Sequence, residues 1–239
     1  MKIHYNDILD STNNEARRLL QQIDCKHIHI VVAKYQSAGR GQSGNTWASN
    51  YGENILMSLI IGNNELPASA FFHLTRIASV SVIDYLSEKN IAAEIKWPND
   101  ILVNKAKIAG ILIENNIEGL YITQSIIGIG LNVNQTDFPN FGIPAISMKT
   151  ILEKSFSPDE EISHLAGHII RNRQKTVTEI NRLYHKRLFM LGKTLTFRKN
   201  NREFQARLCG VSDDGKLLLQ LEGMIEKSFD FKEIEWVIS

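Results

Sequence analysis

The chain has 239 residues, of which 43% are hydrophobic and 22% are charged, as in an ordinary folded protein. Its length fits one large domain, or a large domain joined to a small one. With 27 basic and 26 acidic residues, the formal net charge is +1. Proteins that bind nucleic acid through its phosphates usually carry a basic excess, so broad nucleic-acid binding is disfavoured.

The sequence also argues against secretion and membrane insertion. The N-terminal segment contains no apolar signal core, and no apolar run approaches the ~18 residues of a membrane span. The two cysteines, Cys25 and Cys209, are far apart and in no metal-ligand spacing. We expect a reduced, cytoplasmic protein.

Most of the chain predicts alternating helices and strands. Thr12 and Glu15 match a capping box at the start of a helix over residues 11–22. The other elements, in chain order, are a strand at 27–35, a loop at 36–51, a strand at 54–61, a helix at 66–89, a strand at 93–97, strands at 101–103 and 107–114 joined by a turn at Asn104-Lys105, a strand at 121–133, and one or two helices within 158–191.

The pattern changes from Lys193 onwards to short strands and turns. Strands are predicted at 195–198, 204–211, 216–221 and 227–231, with a strong turn signal at 213–215. We expect a small β-barrel here. The predicted fold class is α+β, with a larger domain at residues 1–190, built on one sheet, and a barrel domain at residues 191–239.

The segment from Gly39 to Gly44 reads G-x-G-x-x-G, which is also the dinucleotide-binding fingerprint. That fingerprint needs a following helix and an acidic residue about 20 positions on, whereas here a polar loop follows and position 59 is a leucine. The Rossmann interpretation is rejected. Glycines still let backbone N–H groups approach an anion, and Arg40 offers a planar fork for phosphate or carboxylate. On the loop alone, an anion site and a flexible turn remain equal alternatives.

Lys107 begins an otherwise apolar strand. Regular alternation predicts that it shares a face with Ala109 and Ile111, where it either extends to solvent or enters a polar pocket. Gly110, inside the same strand, indicates that another group approaches the backbone closely.

Three other segments have both a structural and a functional interpretation. Residues 96–100 (Lys-Trp-Pro-Asn-Asp) are typical of a structural turn when taken alone. Gly128 and Gly130 alternate on one strand, and they leave a flat wall for a ligand, a bulge or a helix. Residues 11–13 (Ser-Thr-Asn) can cap the first helix and also bind a polar ligand.

These motifs appear together, in one order. In chain order they are residues 11–13, residues 36–41 with Gly44 and Trp47, residues 96–100, residues 107–114 and residues 128–132. This arrangement resembles the biotin–protein ligase family, over residues 11 to 134. The resemblance implies a mixed β-sheet catalytic domain flanked by helices, related to lipoate ligases and class II aminoacyl-tRNA synthetases, with a small C-terminal SH3-like β-barrel.

Carried over residue by residue, the resemblance implies a shared site for biotin and ATP. The implied biotin-binding residues are Ser11, Thr12, Asn13, Gln36, Arg40, Gly41, Gln42, Lys107, Gly110, Gly128 and Gly130. The implied ATP-binding residues are Arg40, Gln42, Asn99, Lys107 and Asn132. Of these, Arg40 and Lys107 would be catalytic. The ureido ring would be hydrogen-bonded by Ser11, Thr12, Asn13 and Gln36. Gly128 and Gly130 would form the flat wall.

The implied reaction begins with attack of the biotin carboxylate on the α-phosphate of ATP. Both groups are anionic, so Arg40 and Lys107, with Mg²⁺ held by the ATP phosphates rather than by a cage of side chains, would offset their repulsion. The product, biotinyl-5'-AMP, would acylate a lysine of the biotin carboxyl carrier protein of acetyl-CoA carboxylase or of a related carboxylase. No free-standing nucleophile is implied.

The sequence departs from the family pattern in three ways. Gln42 stands where some relatives have a second arginine, and a neutral glutamine holds phosphate less strongly, so we expect leakier retention of the adenylate. Residues 138–148, by position the adenine-side loop, lack the tryptophan of some relatives. The chain begins almost directly at the Ser11 helix, so we expect the short form of the enzyme, without a DNA-binding domain and without repressor activity.

Two other functions remain open from the residues. A lipoate or octanoate ligase would need a long apolar groove, and the polar set at residues 11–13 and Gln36 argues against it. A ligand-binding relative without catalytic activity is disfavoured because both Arg40 and Lys107 are present. The sequence does not decide between a monomer and a homodimer, and an exposed sheet edge could pair in either case.

Overall fold

Strands in the computed structural model, which describes residues 1–139 and 142–237, form two sheets. The strands of the first sheet are β1 (Lys2–Leu9), β2 (His29–Gln36), β3 (Ile55–Pro67), β4 (Glu94–Lys96), β5 (Asp100–Val103), β6 (Ala106–Glu118) and β7 (Tyr121–Leu131). They lie in the order β1-β2-β3-β7-β6-β5-β4. Because β1 and β2 are parallel while the other neighbouring strands are antiparallel, the sheet is mixed, as the sequence predicts.

Helices cover both faces of this sheet. They are α1 (Thr12–Leu20), α2 (Phe71–Glu88), α3 (Met148–Leu152), α4 (Pro158–Asn172) and α5 (Val177–Lys186). Successive side chains of a strand point to opposite faces. On β7, Ile127 and Ile129 belong to the main core with α2, α4 and α5, whereas Ile126 packs with Ala16 of α1 in a smaller core. The face that α1 covers only in part is the one that carries the pocket.

The second sheet is antiparallel and C-terminal, as predicted for an SH3-like barrel. Its strands are β8 (Thr194–Lys199), β9 (Arg202–Val211), β10 (Leu217–Gln220), β11 (Glu226–Phe229) and β12 (Glu235–Val237), in the order β11-β10-β9-β8-β12. Arg76 of α2 is 1% exposed and donates to the carbonyl oxygens of Val211 and Ser212, at 3.2 and 2.6 Å. These bonds fix the end of β9 against α2, and so fix the barrel against the first sheet.

Several element boundaries differ from the sequence-based prediction. β1 was not predicted, because its edge position leaves a weak apolar pattern; α3 and β12 are short and were also missed. The predicted helix at 66–89 begins only at Phe71, since Leu66 and Pro67 pair with Ile122 and Tyr121 of β7. Pairing with a distant strand outweighs the local helical pattern there. The Asn104-Lys105 turn is confirmed, with φ values of 50° and 66°.

None of the helices within residues 1–139 and 142–237 is both long enough and apolar enough to cross a membrane.

A pair of histidines joins β1 to β2. His4 Nε2 lies 3.0 Å from His29 Nδ1, and the two rings are stacked at 5.3 Å. Burial lowers the pKa of both imidazoles. A charge on His4 and then the Lys2 ammonium lower the pKa of His29 further, whereas for His4 the Lys2 ammonium lowers the pKa and Glu15 raises it. The neutral pair is therefore the form that stabilises β1.

We expect the free energy of unfolding to fall as the pH is lowered from 6.5, the ordinary histidine value, through the lower pKa values of the folded pair. Below pH 6.5 the unfolded chain binds more protons than the folded protein, so acid favours unfolding. Above pH 6.5 the stabilisation from the neutral histidine pair is fully present. His4→Gln, which keeps an amide N–H near Nε2 but cannot titrate, should lose less stability than the wild type between about pH 7.5 and about pH 5.5. Urea unfolding at both pH values measures this, with His164→Gln as an exposed control. An unchanged pH dependence in His4→Gln would contradict the prediction.

Candidate active site

The floor of the pocket is a stretch of β6 and β7 without side chains. Gly130 of β7 pairs with Gly110 of β6, and Gly128 lies two residues along β7 on the same face. A Cβ atom on Gly128 would lie 2.1 Å from Asn13 Oδ1, and one on Gly130 would lie 2.4 Å from the Trp47 ring. Glycine is required at both positions because neighbouring side chains approach the backbone directly.

Buried polar side chains form one end of the pocket. Gln36 Oε1 accepts hydrogen bonds from the backbone N–H and the hydroxyl of Thr12, at 2.7 and 3.1 Å. The Ser58 hydroxyl lies 2.8 Å from Thr12 Oγ1 and 2.6 Å from Asn13 Oδ1. Ser11 completes this end and is 2% exposed. Because an unpaired buried polar group costs about 1–3 kcal/mol, these side chains are held by one another and favour a ligand that also offers polar atoms.

The capping box predicted at Thr12 and Glu15 is wrong. Ser11 is the N-cap residue of α1, and its side chain makes no capping hydrogen bond. The Thr12 hydroxyl donates to Gln36 instead, and Glu15 forms an ion pair with Arg18 at 2.7 Å. The start of α1 therefore serves the pocket rather than its own helix end.

The Gly-rich loop folds back on itself. Gly41 N–H donates to Asn45 O at 2.7 Å, and Trp47 N–H donates to Gly39 O at 3.0 Å. A Cβ atom on Gly39 would lie 2.4 Å from Trp47 O, so only glycine fits this closure. A short 3-10 turn, Gln42–Gly44, forms the tip, and the chain continues into β3 rather than into a helix.

The closure of this loop brings Trp47 over the glycine floor. Besides Gly130, the ring approaches Gly110, where a Cβ atom would lie 3.0 Å away. The Lys107 ammonium lies 5.5 Å from the centre of the indole ring. The buried indole N–H has no acceptor among the described residues. Trp47 thus lies in the pocket between the glycine floor and the Lys107 ammonium.

Lys107 reaches the pocket through a β-bulge. Ile101 of β5 pairs with Ala109, but the next residue of β5 pairs with Lys107, which leaves Ile108 unpaired. The bulge turns Lys107 to the side of Gly110, where a Cβ atom would lie 3.2 Å from Lys107 Cε. The predicted shared face of Lys107 and Ala109 is therefore wrong, since it assumed a regular strand.

Arg40 and Lys107 each pair with an acid. Lys107 Nζ lies 2.5 Å from Asp100 Oδ1. Arg40 contacts the carboxylate of Glu114 at 3.0 Å and donates to Asn14 Oδ1 at 2.9 Å. Sequence reasoning did not predict either acid as a partner. Asp100 lies on a different strand from Lys107, and Glu114 lies 74 residues from Arg40 along the chain. These pairs keep both cations ordered while leaving donors for an anionic ligand.

The two asparagines predicted for the nucleotide differ in position. Asn99 lines the pocket and donates to Ile111 O at 2.6 Å. Asn132 is 3% exposed and does not line the pocket; its amide donates to the carbonyl oxygens of Lys107 and Ile146, at 3.2 and 3.1 Å. Asn132 holds the backbone behind Lys107.

The segment at 138–148 also lies beside Lys107. Lys107 N–H donates to Pro144 O at 2.7 Å, and Ile146 N–H donates to Lys107 O at 3.0 Å. Two residues of this predicted adenine-side loop, Asn140 and Phe141, lie outside the described residues.

Together these residues enclose a pocket of about 220 Å³. All of the predicted site residues except Asn132 line it. The additional lining residues are Asn45, Thr46, Trp47, Pro98, Asp100, Ile111, Leu112, Ile129, Phe231 and Lys232. One continuous cavity therefore joins the polar end to the cationic end.

Comparisons with known proteins identify a family that matches more than half of the chain. The biotin/lipoate A/B protein ligase family model matches residues 5–132. Over 236 residues the chain is 33% identical to the bifunctional ligase/repressor BirA of Bacillus subtilis, an alignment that covers 94% of this chain and 71% of that protein. The chain belongs to the biotin/lipoate A/B protein ligase family.

Two further relatives extend the likeness to nearly the whole chain. A biotin–[acetyl-CoA-carboxylase] ligase of Paracoccus denitrificans is 30% identical, over 88% of this chain and 91% of that protein. A biotin protein ligase from Aquifex aeolicus, solved with biotin and ATP, is 25% identical, with a TM-score of 0.78 over 98% of this chain and 97% of that one. The second sheet is thus part of the shared fold.

In this member of the ligase family, the barrel contributes Phe231 and Lys232 to the pocket. The Phe231 ring packs on Trp97 at 5.2 Å, and the Trp97 indole donates to Gly215 O at 2.8 Å. Sequence reasoning missed both residues because no local pattern links the barrel to the first sheet. Only the docking of the two sheets brings them to the site.

Lys96 is a further cation next to the site of this ligase-family chain. In the backbone register of β4 and β5, Lys96 lies opposite Asp100. The Lys96 ammonium lies 6.0 Å from the Trp236 ring. Burial lowers the pKa of Lys96; the Lys107 charge lowers it further, and the Asp100 carboxylate opposes this shift. Among the described residues, no group of three or more histidine, cysteine or acidic side chains could hold a metal ion.

We expect Gly128→Ala to lower the free energy of unfolding by about 1–3 kcal/mol. The new methyl group would overlap Asn13 Oδ1 and break its contact with Ser58. Urea unfolding measures the loss. Gly167→Ala is the matched control, since a Cβ atom in that helix meets its first neighbour, Arg171, only at 3.4 Å. Equal stability of Gly128→Ala and wild type would show that Asn13 moves aside without cost.

Proposed function

We propose that this chain is a biotin–protein ligase, which forms biotinyl-5'-AMP from biotin and ATP and transfers biotin to a lysine of a carrier protein. The observation that carries this conclusion is one pocket with a buried polar end, a glycine floor and a cationic end. The Aquifex relative was solved with biotin and ATP, and its fold matches along nearly the whole chain.

The polar end suits the ureido ring of biotin. That ring offers one acceptor and two donors, and it must find partners when it is buried. The Thr12 hydroxyl lies 3.1 Å from Gln36 Oε1, and the Ser58 hydroxyl joins Thr12 to Asn13 at 2.8 and 2.6 Å, with Ser11 lining the same end. A lipoyl head offers no such donors, so these side chains favour biotin over lipoate. The ring and its tail would then lie beside Gly128 and Gly130, between the Asn13 side chain and the Trp47 ring that pack on these glycines.

The cationic end suits the first half-reaction. The biotin carboxylate attacks the α-phosphorus of ATP, a P–O bond forms, and pyrophosphate leaves with the electron pair of the broken bond. Arg40 and Lys107 would offset the repulsion between the two anions and hold them in line. Arg40 and Gly41 belong to the Gly-rich loop and Lys107 lies beside Gly110, and all three line the pocket.

In the second half-reaction the neutral amine of a carrier lysine attacks the acyl carbon of the mixed anhydride. The amide bond forms, AMP leaves with the anhydride oxygen, and the amine gives up a proton. The adenylate is already an activated acyl donor, so the protein has only to position the amine and allow proton removal. We infer that the partner is the biotin carboxyl carrier protein of acetyl-CoA carboxylase or of a related carboxylase.

Mg²⁺ fits this pocket as a companion of the ATP phosphates. Mg²⁺ is usually bound by one or two carboxylates together with substrate phosphates. Asp100 is the only carboxylate among the described lining residues, and it is 17% exposed. Asp100 would hold the ion beside Lys107, where its charge would further stabilise the phosphates.

The nucleotide would extend from Lys107 towards Asn99 and the barrel. Phe231 offers an aromatic face and Lys232 a cation at that edge of the pocket. Asn132 would act on the nucleotide only indirectly, since its amide holds the Lys107 backbone and does not face the cavity. We infer that the barrel helps to close the site over ATP.

Labelling experiments test this function. The protein is incubated with ATP, Mg²⁺ and radiolabelled biotin or lipoate, with and without a biotin carboxyl carrier domain. Labelled carrier with biotin alone is expected. Lys107→Ala should make no measurable biotinyl-AMP, because the cation at the α-phosphate is lost. It should keep the wild-type circular dichroism spectrum, because the backbone hydrogen bonds of residue 107 to Pro144 and Ile146 remain. Lys186→Ala, an exposed lysine at the end of α5, is the control. Labelling with lipoate only, or normal adenylate synthesis by Lys107→Ala, would refute the respective assignment.

Gln42 sets the expected lifetime of the adenylate. Gln42→Arg adds a charged fork to the loop tip, and charge-assisted hydrogen bonds are about twice as strong as neutral ones. We expect the variant to release biotinyl-AMP several-fold more slowly than the wild type, measured by trapping released adenylate in stopped-flow or filter assays. Gln42→Glu, with the opposite charge, should release it faster. Equal rates for all three proteins would remove Gln42 from this role.

Three expectations stay predictions. They are a domain boundary between residues 190 and 191, a cytoplasmic location, and a choice between monomer and homodimer.

A further inference from the structure

Glu114 is a charged residue at the junction of two parts of the site. It lies on β6, paired with Ile126 of β7, and its side chain is 19% exposed. Its two carboxylate oxygens accept from three side chains. These are Asn13 at 2.9 Å, Arg17 at 2.5 Å and Arg40 at 3.0 Å. The first belongs to the polar end of the pocket and the last to the Gly-rich loop, so one carboxylate contacts both.

The carboxylate determines the orientation of the Asn13 amide. An ionised carboxylate only accepts hydrogen bonds, so the Asn13 NH₂ group must face Glu114. The carbonyl oxygen then faces the Ser58 hydroxyl, 2.6 Å away, above Gly128. The flipped amide would bring its oxygen against the carboxylate, and both would be acceptors.

The same carboxylate ties the Gly-rich loop to that end of the site. Arg40 reaches Glu114 with both terminal nitrogens, at 3.0 Å from Nη2 to Oε1 and 3.4 Å from Nη1 to Oε2. Arg40 is 39% exposed, whereas Arg17, the third partner, is 56% exposed. The Arg40 contact therefore links the loop to β6, and the Arg17 contact balances charge at the surface.

We propose that Glu114 is a positioning residue that couples the ureido end of the site to closure of the Gly-rich loop. It touches no substrate. Glu114 holds Asn13 in its binding orientation and Arg40 in the folded loop. Biotin bound at the Asn13 end would therefore favour the ordered Gly-rich loop, and the ordered loop would favour biotin binding. This proposal rests on the proposed function, because the ligand at the Asn13 end is taken to be biotin.

Glu114→Gln tests the coupling. The substitution keeps the size of the side chain but adds an NH₂ group and removes the charge that binds Arg40. We expect the KM for biotin to rise about tenfold or more and biotinyl-AMP to dissociate faster. The KM for ATP should rise by less, because Lys107 keeps its own partner, Asp100. Arg17→Gln, which removes only the exposed partner, is the matched control and should stay within about twofold of wild type on all three measures.

A double-mutant cycle separates coupling from a general loss of structure. If Glu114 acts through Arg40, the effects of Glu114→Gln and Arg40→Gln on adenylate release are not additive. Additive effects, or a wild-type KM for biotin in Glu114→Gln, would overturn the proposal. Should Glu114→Gln fail to fold, as judged by thermal unfolding, Glu114→Asp keeps the charge but is too short to reach both partners, and the same measurements apply to it. A wild-type protein that makes no biotinyl-AMP would instead count against the proposed function.

Discussion

The site depends on one constraint, which is that β6 and β7 carry glycine on the face that lines the pocket and isoleucine on the opposite face. Ile127 and Ile129 of β7 belong to the main core. Gly110, Gly128 and Gly130 remove three side chains from the other face, beyond the region that α1 covers. Because strands alternate, the same short segment builds both the core and the floor of the pocket. Neighbouring side chains then fill the space that Cβ atoms would have taken.

The floor brings together groups that are far apart in sequence. Asn13 at the start of α1 and Trp47 after the Gly-rich loop both pack directly on these glycines. Lys107 joins them only because a bulge in β6 turns it away from the core. Asn13 and Lys107 have polar partners and Trp47 packs on the glycines, so the site is largely formed before any ligand binds. This arrangement limits the conformational entropy lost on binding.

The barrel completes the site from the outside. Arg76 is nearly fully buried, and it is held by two carbonyl oxygens of the barrel and by the rings of Phe72 and Tyr184, at 5.1 and 5.8 Å. Such a charge is costly to bury unless it is well paired, so these contacts fix one relative position of the two sheets. Phe231 and Lys232 reach the pocket as a consequence of that docking. The second sheet is therefore part of the active-site architecture rather than an appended module.

The amino-acid sequence by itself determined the α+β class, the Gly-rich loop, the glycine wall and the identity of most pocket residues. These features follow from local signals, namely hydrophobic periodicity, the positions of glycines, and the residues and order of the motifs. Tertiary structure alone decided the helix start at Phe71, the bulge that redirects Lys107, and the ion pairs of Asp100 and Glu114. It also decided which barrel residues reach the pocket. All of these depend on contacts between distant segments, whose energies no local pattern records.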